Sequence, residues 1–235
     1  MVGEATLEKH TDREYENELA RLREQVLLMG ATVEQLLESA MDALQRRDID
    51  LAQRTMENDD PVDRLEMEID RLCLRLLALR QPVASDLRFI TMVLKVVIDL
   101  ERSGDLAVNV CERVIEMGDV PNTPTHESIC RMGSLAQAML RDSLDAFVNK
   151  DALKAQAVIQ RDNAVDTLCE QLFPELGALV RADPESLETA TRMQSIVKYV
   201  ERIADHATNI SEMVVFMVRG QDVRHHSEMA LAGRR

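Results

Sequence analysis

The segment VVIDLERSGDLAVNVCERVIEM, residues 96–117, returns one hundred positions later as IVKYVERIADHATNISEMVVFM, residues 196–217. Glu101, Arg102 and Asp105 reappear as Glu201, Arg202 and Asp205. Ala107, Asn109, Glu112, Val114 and Met117 also have identical counterparts. A second match lies upstream, where Asp59-Asp60-Pro61-Val62-Asp63 parallels Asp162-Asn163-Ala164-Val165-Asp166. Self-similarity at a fixed period marks a duplicated structural unit. Packing alone would preserve the apolar positions, but here acids and an asparagine are preserved with them.

Working outward, each copy reads as three helices. Leu19, Leu22, Val26, Met29, Val33, Leu36, Leu37, Ala40 and Leu44 recur at three- and four-residue steps with charges between them. That is the apolar stripe of a bundle helix, predicted from near residue 11 to Arg47. After a break at Asp48–Asp50, a second helix is expected to about Leu79. Arg80-Gln81-Pro82-Val83 interrupts it, because Pro blocks the hydrogen-bond ladder and disfavours helix in the residue before it. A third helix runs from about Ser85 to Met117 and stops at Gly118. Gly118–Thr125 reads as a linker. A fourth helix opens at Thr123-Pro124, a cap followed by Pro at the first helical position. A fifth runs from Asp151 to about Val180, with Pro174 as a candidate kink, and a sixth opens at Asp183-Pro184 and ends at Arg219-Gly220. The fold class predicted is all-α, two tandem three-helix bundles of long antiparallel helices. The units are residues 11–118 and 123–220, and residues 221–235 form a flexible tail.

The composition agrees. Aromatic residues make up 3% of the 235, Trp is absent, and Gly (8) and Pro (6) are scarce. Long unbranched side chains, which lose little rotamer freedom in a helix, dominate instead. The net charge of −14 speaks against nucleic-acid binding, which needs a basic face to displace counterions. The N-terminus has no apolar core of a signal peptide, and no apolar run is long enough to cross a bilayer. Membrane association is therefore expected only through partners. The four cysteines, Cys73, Cys111, Cys130 and Cys169, form no CxxC pair and read as small core residues in a reducing cytosol.

The repeated acids carry the chemistry. Positions i and i+4 of a helix share one face, so Asp59/Asp63, Glu101/Asp105, Asp162/Asp166 and Glu201/Asp205 each form a two-carboxylate patch. Asp63 lies 19 residues before Pro82 and Glu101 lies 19 after it. A hairpin turning at Pro82 brings both patches to one height, roughly 28–35 Å from the turn at 1.5 Å per residue. Around Pro184 the second copy counts 18 and 22 residues back to Asp166 and Asp162, and 17 and 21 forward to Glu201 and Asp205. Each copy would then gather four carboxylates plus Asn109 or Asn209. Such oxygen clusters suit hard cations, magnesium and manganese among them, or carboxylate-bridged iron. The alternative is that Arg64, Arg102, Arg161 and Arg202 neutralise the acids as exposed ion pairs. No Glu-x-x-His motif, glycine-rich phosphate loop, GxSxG or Cys/His dyad occurs, so no enzyme activity is expected. A metal store or carboxylate-bridged metalloenzyme is the alternative class. His206 reads as a helix-surface histidine.

The doubled ERxxDxAxN segment, the string Leu79-Arg80-Gln81-Pro82-Val83-Ala84-Ser85-Asp86-Leu87-Arg88 and the closing Val218-Arg219-Gly220-Gln221-Asp222-Val223-Arg224-His225 together resemble the PhoU family, the phosphate-specific transport system accessory proteins. The resemblance covers about Tyr15 to His226. It implies a cytoplasmic, non-enzymatic negative regulator of phosphate uptake and of the phosphate-starvation (Pho) regulon. It implies an adaptor between the ATPase subunit of the phosphate ABC transporter and a sensor histidine kinase, commonly as a homodimer. Some members hold iron or zinc clusters on E(D)xxxD motifs, which here fall on the four acid pairs. Arg80, Gln81, Pro82, Asp86 and Arg88 become candidate partner-binding residues, with a plain interhelical turn as the other reading. The second copy has Arg181-Ala182-Asp183-Pro184-Glu185-Ser186-Leu187 in that place.

Overall fold

Every regular element among the described residues of the computed structural model is a helix; the structure describes residues 2–57, 60–118 and 124–220. The elements are α1 (Val2–Arg46), α2 (Ile49–Met56), α3 (Asp60–Arg80), α4 (Ala84–Met117), α5 (Pro124–Asn149), α6 (Ala152–Ala182) and α7 (Leu187–Arg219), with a 3₁₀ turn over Pro184–Ser186. The second of the six expected helices comes as two pieces, α2 and α3, on either side of Asn58 and Asp59. Pro61 sits in the first turn of α3, where its missing N–H would have had no partner. Pro174 lies inside α6 without ending it. Asp183 caps as expected, accepting from Glu185 N at 3.1 Å. Thr123, the expected cap of α5, and the tail beyond residue 220 lie outside the described residues.

The turns that end α1 and α5 are copies of each other. Arg47 and Lys150 take left-handed backbone, with φ of 55° and 52°. The N–H of Asp48 reaches back to Ala43 O at 3.0 Å, and that of Asp151 to Ala146 O at 2.9 Å. These six-to-one bonds are Schellman closures. Each aspartate then turns to the next helix, its carboxylate accepting from Leu51 N at 2.8 Å or from Leu153 N at 2.9 Å. One residue thus finishes one helix and caps the next, which folds the chain back on itself.

Helices α1 to α4 pack together, as do α5 to α7, and the two groups meet along α4 against α7 and α1 against α5. All nine stripe residues of α1 quoted above are buried, none more than 4% exposed. A single core cluster runs through both groups. Both seams are antiparallel, as the contacts along them show. On the α4/α7 seam Glu116 meets Arg192 at 3.1 Å, Asp99 meets His206, and Met92 and Lys95 share a cleft with Met213 and Phe216. On the α1/α5 seam Glu34 meets Arg141 at 3.0 Å. Gly30 faces Leu144 and Gly133 faces Met41, at positions that match between the repeats. An added Cβ would come within 2.7 Å of Leu144 Cδ1 or 2.2 Å of Met41 Cε. A side chain of one helix therefore enters the gap left by a glycine on the other, twice, about a pseudo-twofold axis. The ring pair Phe89–Phe147, centroids 5.8 Å apart, bridges α4 and α5.

The α5/α6 hairpin has an ion network of its own. Asp142 accepts from Arg161 at 2.7 Å and from Lys154 at 3.1 Å, and Lys154 also meets Asp145 at 2.8 Å. Burial pushes the Asp142 carboxyl up, but the bonds from Arg161 and Lys154 outweigh it and the net direction is down.

Two measurements check this packing. Gly30→Val and Gly133→Val are each expected to lose about 1–3 kcal/mol in urea unfolding, because the added carbons overfill the α1/α5 seam. Gly177→Ala is expected to gain up to about 1 kcal/mol, because its Cβ meets only Arg181 Nη1 at 3.4 Å and alanine favours helix. Equal stability of all three would refute the interlocked seam. For Asp142, a lowered carboxyl stabilises the fold above the ordinary carboxylate range and loses that contribution as pH falls through the lowered value. Asp142→Asn should cost about 1 kcal/mol at pH 7, and its difference from wild type should shrink as pH falls below the ordinary carboxylate range.

Candidate functional site

The hairpin count places the acids of α3 beside those of α4. Glu66, Asp63, Glu101 and Asp105 form one electrostatic group: burial raises the Glu66 carboxyl first, then Asp70, Asp63 and Asp105. Glu101 is raised by burial and then by Asp105, Glu66 and Asp63. Asp59, the remaining acid of this set, lies outside the described residues. The band is larger than the sequence reading made it, because Glu66 and Asp70 join it. Their signal was present, since Asp63, Glu66 and Asp70 follow the three- and four-residue steps of one helix face.

In the second copy Asp162 and Asp166 of α6 stand beside Glu201 and Asp205 of α7. The Asp162 carboxyl is pushed up to about 6, by burial first and then by Asp166 and Asp205. Asp166 and Asp205 are raised as well, each by burial and then by Glu201. Asp162 Oδ1 and Thr208 Oγ1 are both buried, and the Thr208 hydroxyl bonded to Asp162 lowers its carboxyl by less than burial and the neighbouring acids raise it. These are the marks of carboxylates held closer together than their charges favour.

The two bands differ in detail. Glu66 and Asp70 correspond to Cys169 and Phe173, so the second copy replaces two carboxylates by a buried thiol and a ring. Lys198, whose counterpart is Ile98, pairs with Glu201 and sits 5.6 Å over the Phe173 ring. The second band thus has a cation of its own. The arginines considered as neutralisers are engaged elsewhere or unpaired: Arg161 binds Asp142, and Arg64 Nε donates to the Asp60 carbonyl at 3.1 Å. Arg102 and Arg202 form no ion pair among the described residues and line a cleft between α4 and α7, although the Arg102 charge does pull the Glu101 carboxyl down.

Oxygen donors in this number fit a hard cation chemically. Among the described residues, however, no group of three or more His, Cys, Asp and Glu side chains is arranged to ligate a metal ion. The bands are neighbouring carboxylates, and not a closed coordination shell. Asn109 and Asn209 face the α4/α7 seam: Asn109 lines the cleft with Arg102 and Arg202, and Asn209 Nδ2 donates to Asp99 Oδ1 at 3.4 Å.

His206 is not a surface residue. It is 9% exposed, and its Nδ1 lies 2.7 Å from Asp99 Oδ1, itself on a residue 8% exposed. Seen along α7 alone, His206 follows an exposed acid and looks like part of the polar face. Its burial comes from α4 packing antiparallel across it. Asp99 corresponds to Tyr199 and His206 to Leu106, so the repeat comparison hid the pair: each partner lacks a polar counterpart.

The candidate partner residues divide by what they touch. Arg80 closes the end of the bundle, binding Glu14 at 2.9 Å and Glu18 at 3.0 Å, and Asp86 accepts from Tyr15 Oη at 2.9 Å. Gln81 and Arg88 are exposed, Pro82 is half-buried, and Gln81 is held at a φ of 46°. Around them Leu79, Val83 and Leu87 are 70%, 74% and 43% exposed. The tip of the α3/α4 hairpin is therefore an apolar patch with Arg88 beside it.

Comparison with known proteins agrees with this architecture. The PhoU domain model matches residues 26–114 and again 129–214. The chain is 39% identical over 226 residues to the phosphate-specific transport system accessory protein PhoU homolog of Pseudomonas aeruginosa, covering 96% of this chain and 93% of that one. It is 36% identical over 219 residues to the PhoU accessory protein of Escherichia coli, covering 93% and 91%. The crystal structure of PhoU from Pseudomonas aeruginosa superposes with a TM-score of 0.85 at 39% identity, over 88% of this chain and all (100%) of that one. The PhoU structure from Streptococcus pneumoniae gives 0.83 at 31% identity, over 89% and 99%. Two matched domains, one in each helical group, and relatives aligned along almost their whole length place this chain in the PhoU family.

Proposed function

We propose that this protein is an accessory regulator of phosphate transport, holding uptake and the phosphate-starvation regulon down when phosphate is plentiful. It acts in the cytoplasm, as a homodimer, by joining the ATPase subunit of the phosphate transporter to a sensor histidine kinase. The observation that carries this reading is the end-to-end relationship to proteins named as phosphate-specific transport system accessory proteins. No helix among the described residues is long and apolar enough to cross a membrane, so contact with membrane proteins runs through a surface. The tip of the α3/α4 hairpin supplies a suitable one, with Gln81 and Arg88 exposed beside Leu79, Val83 and Leu87. Arg80 and Asp86 serve it from within by fixing the turn against α1.

Deleting the gene is expected to raise alkaline phosphatase in phosphate-replete medium, and reintroduction should restore repression. Tagged protein should capture the transporter ATPase and the kinase from detergent-solubilised membranes. Leu79→Asp/Val83→Asp should lose the capture while keeping the wild-type circular dichroism spectrum. Unchanged phosphatase in the deletion strain would refute the regulatory reading.

The acidic bands are part of the proposal as cation sites. Asp63, Glu101 and Asp105 in one copy, and Asp162, Asp166, Glu201 and Asp205 in the other, would hold the metal. A bound cation would relieve their mutual repulsion and stiffen each hairpin. Asp162→Asn tests this without any activity. In chelated protein at neutral pH it should raise the unfolding midpoint by about 2 °C or more, because it removes a half-buried charge crowded by Asp166, Asp205 and Glu201. Added divalent cation should stabilise wild type more than the variant. Equal metal response in both would remove Asp162 from the site.

A further inference from the structure

Arg102 and Arg202 are counterparts in the two repeats, and the antiparallel α4/α7 seam brings both to one cleft. Asp105, Leu106, Asn109 and His206 complete its lining, and the space is about 390 Å³. Elsewhere in the chain Arg75, Arg80, Arg113, Arg141, Arg161 and Arg192 are all bound to carboxylates. Arg102 and Arg202 form neither an ion pair nor a hydrogen bond among the described residues. They remain available to a ligand.

The rest of the cleft narrows the choice of ligand. Asp99 lies behind it and is already satisfied, accepting from Asn209 and held 2.7 Å from His206 Nδ1. Asp105 is an acceptor at the rim, and the Asn109 amide can both donate and accept. The cleft therefore offers two forked cationic donors together with acceptors that need a proton from the ligand. A guanidinium pair matches the edges of a tetrahedral oxyanion. The acceptors distinguish oxyanions by protonation: phosphate at neutral pH carries at least one P–OH to donate, whereas sulfate carries none. Sulfate would set its oxygens against the lone pairs of Asp105, which is the unfavourable arrangement that gives a site its selectivity.

We propose that this inter-repeat cleft binds free inorganic phosphate, held by Arg102 and Arg202 and chosen over sulfate by Asp105. The repeat relation explains why it lies where it does: two copies of one arginine face each other only in the duplicated, antiparallel arrangement. A single three-helix unit contains half of the site. The proposal rests on the cleft's own residues and not on the adaptor reading. Failure to bind phosphate would leave the membrane-capture experiment intact, and failure of capture would leave a phosphate titration intact.

Isothermal titration of the full-length protein with inorganic phosphate tests it, at pH 7, with chelator present and chloride keeping the ionic strength constant. Saturable binding at one site per chain is expected, roughly millimolar or tighter. Arg102→Gln and Arg202→Gln should each weaken it by about tenfold or more, the scale of a charge-assisted hydrogen bond. Both arginines are exposed, so the variants should unfold like wild type, and Arg→Lys at either position should bind at intermediate strength. Sulfate should bind about tenfold more weakly than phosphate, and Asp105→Asn should narrow that gap. AMP, a phosphomonoester, should bind no more tightly than the free anion. Absence of saturable binding, binding indifferent to both arginines, equal affinity for sulfate, or a clear preference for AMP would each overturn the assignment.

Discussion

The antiparallel contact of α4 with α7 is the constraint on which the rest of the structure depends. Helix α4 is buried on more than one side: Val93, Val96, Val97, Leu100, Ala107, Val110, Cys111 and Val114 are each no more than 2% exposed. The other three helices of its own bundle cannot cover so wide a surface. Helix α7 is in the same position, with Ile196, Val197, Val200, Ile203, Ala204, Ala207 and Ile210 fully buried. Each copy thus needs the other, and one core cluster takes the place of two. Ser103, Gly104 and Ala204, small and buried where the seam crosses its axis, let the backbones approach. Asp99 and His206 add a polar pair inside this apolar contact. Such a pair contributes little net stability, but either partner left alone would be a costly buried polar group. Sliding the seam by one turn would separate them, so the pair ties register to burial.

Duplication then sets where divergence can occur. The acids lie on the α3/α4 and α6/α7 hairpins, with Asp105 among them also lining the inter-repeat cleft, and most of them can vary without disturbing the seam. They have varied: Glu66 and Asp70 against Cys169 and Phe173, Ile98 against Lys198. The first band keeps more carboxylates, opposed by the Arg102 charge beside Glu101, whereas the second holds Asp162 against Thr208 and pairs Lys198 with Glu201. Both states carry unfavourable charge, relieved in different ways. The α5/α6 network of Asp142, Lys154 and Arg161 has Ser39, Leu51 and Asn58 in the corresponding places of the first copy; the second hairpin thus has a charged brace that the first does not repeat.

What could be read from the chain follows the range of the forces involved. The α1 stripe, the turns after Arg47 and Lys150, and the matched heights of the acids all depend on helix geometry and on residues close in sequence, so counting found them. The position of His206 depends on a helix more than one hundred residues away, since its partner is Asp99, and no periodicity within α7 records that. Asn109 and Asn209 were grouped with the acids because they share their repeat, but they lie further round the helix and meet the seam. From the sequence, Arg102 and Arg202 read as neutralising partners of adjacent acids only as the alternative to a bound cation. Only the packing of α4 on α7 shows that they converge on each other.

Asp105 connects these regions. It belongs to the acidic band, raising the carboxyls of Glu66 and Glu101, and it also lines the cleft with Arg102 and Arg202. One carboxylate cannot satisfy a cation on one side of α4 and accept a proton from an anion on the other with equal strength. A cation drawing Asp105 toward Glu101 would take an acceptor from the cleft, and an anion engaging Asp105 would take a donor oxygen from the band. The coupling free energy between two such sites is the same in either direction. No long pathway through the bundle is needed, because a single side chain on α4 stands at the edge of both.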